Sequence, residues 1–149
     1  MNASPVVFLA EDDETDVMLL RRAFASAGLD APLHVAHDGL ALIEQLEKCV
    51  RDGAGPWPDL VLLDLKMPRR DGLQTLQWLR AHPQFRYVPV IIFSSSAHRA
   101  DVCRAYELGA SAFLVKPPSL AERADVARFL KDWLRLNRVA IADCAAPRG

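Results

Sequence analysis

Apolar residues follow two alternating rhythms along this chain. Short unbroken runs stand at Val6-Val7-Phe8-Leu9-Ala10, Leu33-His34-Val35-Ala36, Leu60-Val61-Leu62-Leu63, Val88 to Phe93 and Ala112-Phe113-Leu114-Val115. Polar or turn-forming residues bound each run, which predicts strands buried on both faces. Between the runs, apolar residues recur every three or four positions. Val17, Leu20, Phe24 and Ala27 form one such set, Leu42, Leu46 and Cys49 a second. Leu73, Leu76 and Leu79, then Val102, Ala105 and Tyr106, form two more. That spacing predicts amphipathic helices. Asp13, Asp38 and Asp71 stand where N-caps are needed, Gly28 and Gly109 where helices stop, and Pro83 just past the third helix.

Strand and helix alternate five times. The expected class is α/β, with a doubly wound, five-stranded parallel sheet covered by helices on both faces. One domain is expected over residues 1–149, with its core at about 5–137 and a tail at 138–149. The last helix is predicted from about Ser119 to Asn137 and carries two apolar stripes. Leu120, Ala124, Ala127, Leu130 and Leu134 suit the sheet. Val126, Phe129, Trp133 and Leu136 form a second stripe about 140° around the axis, with Arg123, Arg128, Asp132 and Arg135 in the gaps. A surface helix needs one apolar face, so the second predicts a partner, read here as a homodimer.

Composition narrows the function. Hydrophobic residues make up 51% of the 149, enough for a sizeable core. A net charge of −1 gives no general pull towards nucleic acid or an anionic membrane. Three well-separated cysteines, Cys49, Cys103 and Cys144, show neither a disulfide framework nor metal-site spacing. No apolar run approaches the ~20 residues that span a bilayer, and no signal-peptide charge pattern opens the chain. A cytoplasmic protein is expected.

Four of the predicted strands end in chemically capable groups: Glu11-Asp12, Asp64, Ser94 and Lys116. Parallel strands bring such ends to one edge of the sheet, where open α/β sheets bind ligands. Carboxylates held close repel unless a cation or a proton joins them. Oxygen ligands without Cys or His suit Mg²⁺ or Mn²⁺. A lysine and a hydroxyl opposite them can hold an anion, and together these groups suit phosphoryl transfer onto a carboxylate. Asp64, on the central strand, is the nucleophile candidate. His34, His37, His82 and His98 have no ligand spacing and read as structural, Trp57 and Trp78 as packing, and Arg69-Arg70 as a solvated loop pair.

These residues carry a resemblance. The segments Leu9-Ala10-Glu11-Asp12-Asp13, Leu62-Leu63-Asp64-Leu65-Lys66-Met67-Pro68, Asp71-Gly72, Val90-Ile91-Ile92-Phe93-Ser94-Ser95 and Gly109 to Pro117 resemble, in order, a receiver domain of a two-component response regulator. The resemblance implies a flavodoxin-like (βα)5 fold and phosphotransfer from a histidine kinase to Asp64. It implies Mg²⁺ held directly by Asp12 and Asp64, by Glu11 through water, and by the Lys66 backbone carbonyl. It also implies switch positions at Ser94 and Phe113, and Lys116 pairing with the phosphoryl group. Three departures stand out: Glu11 replaces a common Asp, Phe113 lacks a hydroxyl, and Pro118 follows Pro117.

Residues 138–149 are too few for a DNA-binding or enzymatic output domain, so a stand-alone receiver acting by protein contact is expected. The Arg69 to Gly72 turn, Pro83 to Pro89, and Phe129 with Trp133 are similar to regulators paired with bacterial phytochrome kinases, which tend to dimerise through their terminal segment. Three other functions compete. An aspartyl-phosphate phosphatase usually wants an acid two residues after the nucleophile, where Lys66 stands. A nucleotide or flavin module wants a glycine-rich loop, where Glu11-Asp12-Asp13 would repel phosphate. A phosphorylation-independent scaffold would not need the full set of acids, serine and lysine.

Overall fold

The computed structural model describes residues 4–53 and 55–144. Five strands, β1 (Val7–Ala10), β2 (Leu33–Ala36), β3 (Leu60–Leu63), β4 (Val90–Ser94) and β5 (Ala112–Val115), form one sheet. Its order is β2-β1-β3-β4-β5 and all four pairings are parallel. The helices are α1 (Glu14–Ala27), α2 (Gly39–Asp52), α3 (Gly72–Ala81), α4 (Arg99–Glu107) and α5 (Leu120–Cys144). This is the expected five-stranded receiver-type α/β fold.

Alternation along the strands divides the core. Val7 and Leu9, Leu60 and Leu62, and Ile91 and Phe93 pack with α1 and α5. Phe8 and Ala10, Val61 and Leu63, and Val90 and Ile92 pack with α2, α3 and α4. Burying each large aliphatic side chain is worth about 1.5–3 kcal/mol, so the inner strands hold the layers together without side-chain polarity. Trp57 stacks on Phe85 at 4.8 Å, and Trp78 lies 5.0 Å from His82. Both tryptophans pack, as expected.

The caps set where the helices start. Asp13 accepts from the Thr15 and Asp16 N–H groups, Asp38 from Ala41, and Asp71 forms a reciprocal capping box with Gln74. Gly28 closes α1 with φ +70°. Gly72 is needed for a different reason. A Cβ there would stand 2.2 Å from the backbone oxygen of Asp64, so only glycine lets α3 start so close to the end of β3.

Four expectations are corrected. β4 begins at Val90 rather than Val88, because Pro89 has no N–H for a ladder. Helix α5 runs to Cys144, so most of the expected tail is helical; no glycine or proline interrupts it before Pro147. Residues 145–149 of that tail lie outside the described residues. Leu120 is 49% exposed rather than on the sheet face, because it is the first residue of α5 and leans towards the helix start. Arg123, expected in a gap between the two apolar stripes, is only 7% exposed.

The close approach at Gly72 generates a prediction. Gly72→Ala should lower stability by roughly 1–3 kcal/mol, against the usual gain of ~0.4–1 kcal/mol when alanine fits. Urea unfolding should show a lower midpoint with unchanged slope. An equal or higher midpoint would contradict the contact.

Candidate functional site

Register places the polar strand ends side by side. Ala10 pairs with Leu63, so Glu11 and Asp64 follow as neighbours on adjacent strands. The Asp64 N–H donates to the Ala10 oxygen at 3.1 Å, and the Glu11 N–H to Ala36 at 2.9 Å. Beyond β4 and β5, the Lys116 N–H donates to the Ser94 oxygen at 2.8 Å. Thus residues 105 positions apart in sequence meet at one edge.

Carboxylate oxygens of Glu11, Asp12 and Asp64, one from each, lie within 4.8 Å of one another. Glu11 is buried, Asp64 is 8% exposed, and Asp12 faces solvent. Asp64 is oriented by the Leu65 N–H, which donates to its Oδ1 at 2.8 Å. Glu11 accepts from the Asp13 N–H at 3.2 Å. A cluster of three carboxylates, one of them open to solvent, suits a hard divalent cation.

The Lys116 ammonium lies against this cluster. Its Nζ lies 2.5 Å from Glu11 Oε1, 2.8 Å from Asp16 Oδ2 and 3.5 Å from Asp64 Oδ2. Burying a lone ammonium costs several kcal/mol. Each carboxylate at such distances returns about 5 kcal/mol at an effective dielectric near 20. Burial lowers the lysine's pKa, but hydrogen bonds to Asp16 and Glu11 and the Asp64 charge outweigh it, so the net shift is upward. Burial pushes the Glu11 carboxyl up to about 7, despite the opposing pull of Lys116. Both directions hold together because Asp16 and Asp64 keep Lys116 charged when Glu11 takes a proton.

Two residues of this site were not singled out from the sequence. Asp16 looks like one of the acids that favour a helix start. Arg123 looks like a polar gap residue. In the structure Arg123 Nη2 lies 3.3 Å from Asp16 Oδ1, and its Nε donates to the Pro117 oxygen at 3.0 Å. The signal was present: Arg123, Ala127, Leu130 and Leu134 are spaced 4-3-4, which puts Arg123 on the sheet-facing stripe.

The other expected residues fall as follows. Ser94 is buried at the end of β4, and its Oγ accepts from the Ser96 N–H at 3.3 Å. Phe113 is half-buried on β5 beside Ile92, and its N–H donates to the Tyr106 hydroxyl at 3.1 Å. Lys66 has an exposed side chain in the loop after Asp64. Arg69 is not a free loop residue: it adopts φ +64° and makes two hydrogen bonds to Asp38, at 2.6 and 3.1 Å. Those bonds draw the loop after Asp64 onto the start of α2 and hold the Asp38 carboxyl below its usual range. On α5, Phe129 and Leu136 are 43% and 67% exposed, while Val126 and Trp133 are half-buried against the core. The second stripe is therefore only partly free. Among the described residues no helix is long and apolar enough to cross a membrane.

Comparison with known proteins agrees with this geometry. Response regulator Rcp1 of Synechocystis sp. is 31% identical over 121 residues, covering 81% of this chain and 82% of Rcp1. Its Mn(2+)-bound structure superposes with a TM-score of 0.76 at 29% identity, covering 87% and 94% of the two chains. The phosphorylated cyanobacterial phytochrome response regulator RcpA gives 0.80 at 25% identity, covering 89% and 94%. Response regulator RPA3017, in red light signalling of R. palustris, gives 0.77 at 35% identity, covering 85% and 90%. The family model described as the response regulator receiver domain matches residues 7–128, and the chain belongs to that family of two-component signalling proteins.

Proposed function

We propose that this protein is a phosphoacceptor: Asp64 takes a phosphoryl group from a histidine kinase in a Mg²⁺-dependent reaction, and the output is protein contact. The observation that carries the reading is the meeting of Glu11, Asp12 and Asp64 with Lys116 at one sheet edge. Asp12 and Asp64 would hold the ion directly, Glu11 through water, and the Lys66 carbonyl would complete the protein's share. Mg²⁺ there supplies charge that offsets the phosphoryl oxygens.

The chain's own groups do the rest. Leu65 N–H fixes the plane of the Asp64 carboxylate. A carboxylate oxygen attacks phosphorus, and the bond from phosphorus to the donor atom breaks. The donor leaves with the electron pair, as acetate from acetyl phosphate or as imidazole nitrogen from phosphohistidine. Lys116 and the Ser94 hydroxyl take up negative charge on the transferred group. Ser94 and Phe113 then report the new charge along β4 and β5. Likeness to RcpA and RPA3017 supports a phytochrome kinase as the donor. The exposed Phe129 and Leu136 support a homodimer through α5.

Three measurements test this reading. Intact mass after incubation with acetyl phosphate should show one added phosphoryl group, dependent on Mg²⁺ and absent in Asp64→Asn; no gain in wild type contradicts the reading. The raised Glu11 pKa sets a pH dependence. Between about 4.5 and 7 the folded chain holds this proton more tightly than the unfolded chain. Stability from Glu11 is therefore full at low pH and lost as pH rises towards 7. The bound cation must displace the same proton, so Mg²⁺ affinity should rise from pH 6 to 8 and flatten above, with the rise lost in Glu11→Gln. Affinity independent of pH in wild type would contradict it. Finally, Phe129→Ser with Leu136→Gln changes the exposed part of the α5 stripe and spares the packed Trp133. Sedimentation should report a monomer against a wild-type dimer, and an unchanged mass would sink the dimer.

A further inference from the structure

Lys116 has a competitor for its charge. If it is to meet a phosphoryl group on Asp64, its ammonium must leave Asp16, which it approaches more closely than Asp64, at 2.8 against 3.5 Å. Asp16 is itself divided. Its Oδ2 faces Lys116, and its Oδ1 faces Arg123 Nη2 at 3.3 Å. Arg123 comes from α5, is nine-tenths buried, and is anchored by its Nε to the Pro117 oxygen, one residue after Lys116. Its buried Nη1 has no hydrogen-bond partner. Burial leaves the guanidinium charge little screened by water, so it pulls strongly on the carboxylate it faces, that of Asp16.

From this we infer that Asp16 is a positioning residue that holds Lys116 back from Asp64, and that Arg123 sets the strength of the hold. The inference rests on the phosphoacceptor reading. With Arg123 in place, the Asp16 charge is shared, and Lys116 is free to follow the phosphoryl oxygens. Without Arg123, Asp16 keeps Lys116. Arg123 acts only through Asp16. The pair also gives α5 a direct side-chain connection to the site, on the helix whose outer side carries Phe129 and Leu136.

The test is a double-mutant cycle on the rate constant for phosphorylation by acetyl phosphate at saturating Mg²⁺, read by mass. Asp16→Asn should raise it and Arg123→Gln should lower it, each by about tenfold, the scale of one charge-assisted hydrogen bond. Arg123→Lys should restore most of the loss. Simple attraction of the anionic donor by net charge predicts the same two single-variant directions. The double variant separates them. It should match Asp16→Asn if Arg123 works through Asp16, and return to the wild-type rate if only net charge matters. That return, or a rate lowered in both single variants, overturns the inference. If Arg123→Gln does not fold, Asp16→Asn is compared at low and high salt: a faster rate that persists at high salt supports the hold, and a gain lost with salt, or an equal or slower rate, overturns it. A wild type that takes no phosphoryl group sinks this inference together with the reading beneath it, whereas a phosphorylated wild type with additive variants sinks the inference alone.

Discussion

A buried ammonium among carboxylates organises the functional edge of this protein. Lys116 touches Glu11 and Asp16 and stands near Asp64: two acids just past strand ends and one in α1. None of these groups could be buried alone. Together they are held because the sheet brings their backbones to one edge first, through apolar packing that owes nothing to charge. With all four acids ionised, Glu11, Asp12, Asp16 and Asp64 outnumber Lys116 and Arg123 by two. That deficit matches the charge of one divalent cation; burial is what raises the Glu11 pKa, and the nearby Asp64 charge adds to it.

The loop after Asp64 is the second constraint. It is fastened at both ends, by the tight contact of Gly72 with the Asp64 oxygen and by Arg69 on Asp38. Arg69 accepts a backbone conformation uncommon for a side chain with a Cβ. Two hydrogen bonds to a nearly buried carboxylate offset that strain. The loop that carries Lys66 is thereby fixed relative to β3 before any ligand arrives.

Much of this was legible in the sequence because strands buried on both faces leave continuous apolar runs, and their polar ends stand out. Glu11, Asp12, Asp64, Ser94 and Lys116 could be placed on one edge from strand order alone. Asp16 and Arg123 could not be read so directly. Asp16 serves a helix start and the lysine at once, and the first role hides the second. Arg123 occupies a sheet-facing position in α5 that periodicity reserves for an apolar residue, so its charge argued for the surface. The end of α5 is poorly marked in the sequence, since Asn137 resembles a stop while no glycine follows until the last residue. Arg69 is solvent-exposed, and its pairing with Asp38 is not legible because that partner lies 31 residues away, at the cap of another helix.

A single cation site formed by the strand-end acids opposite Lys116 is what the proposed phosphoacceptor role requires. Anomalous scattering from crystals grown with Mn²⁺ tests it most directly. One peak should stand between the carboxylates of Asp12 and Asp64, next to the Lys66 carbonyl, with Lys116 on the far side, and it should vanish in Asp64→Asn. A peak elsewhere on the molecule, or one that survives the loss of the Asp64 charge, would contradict the claim.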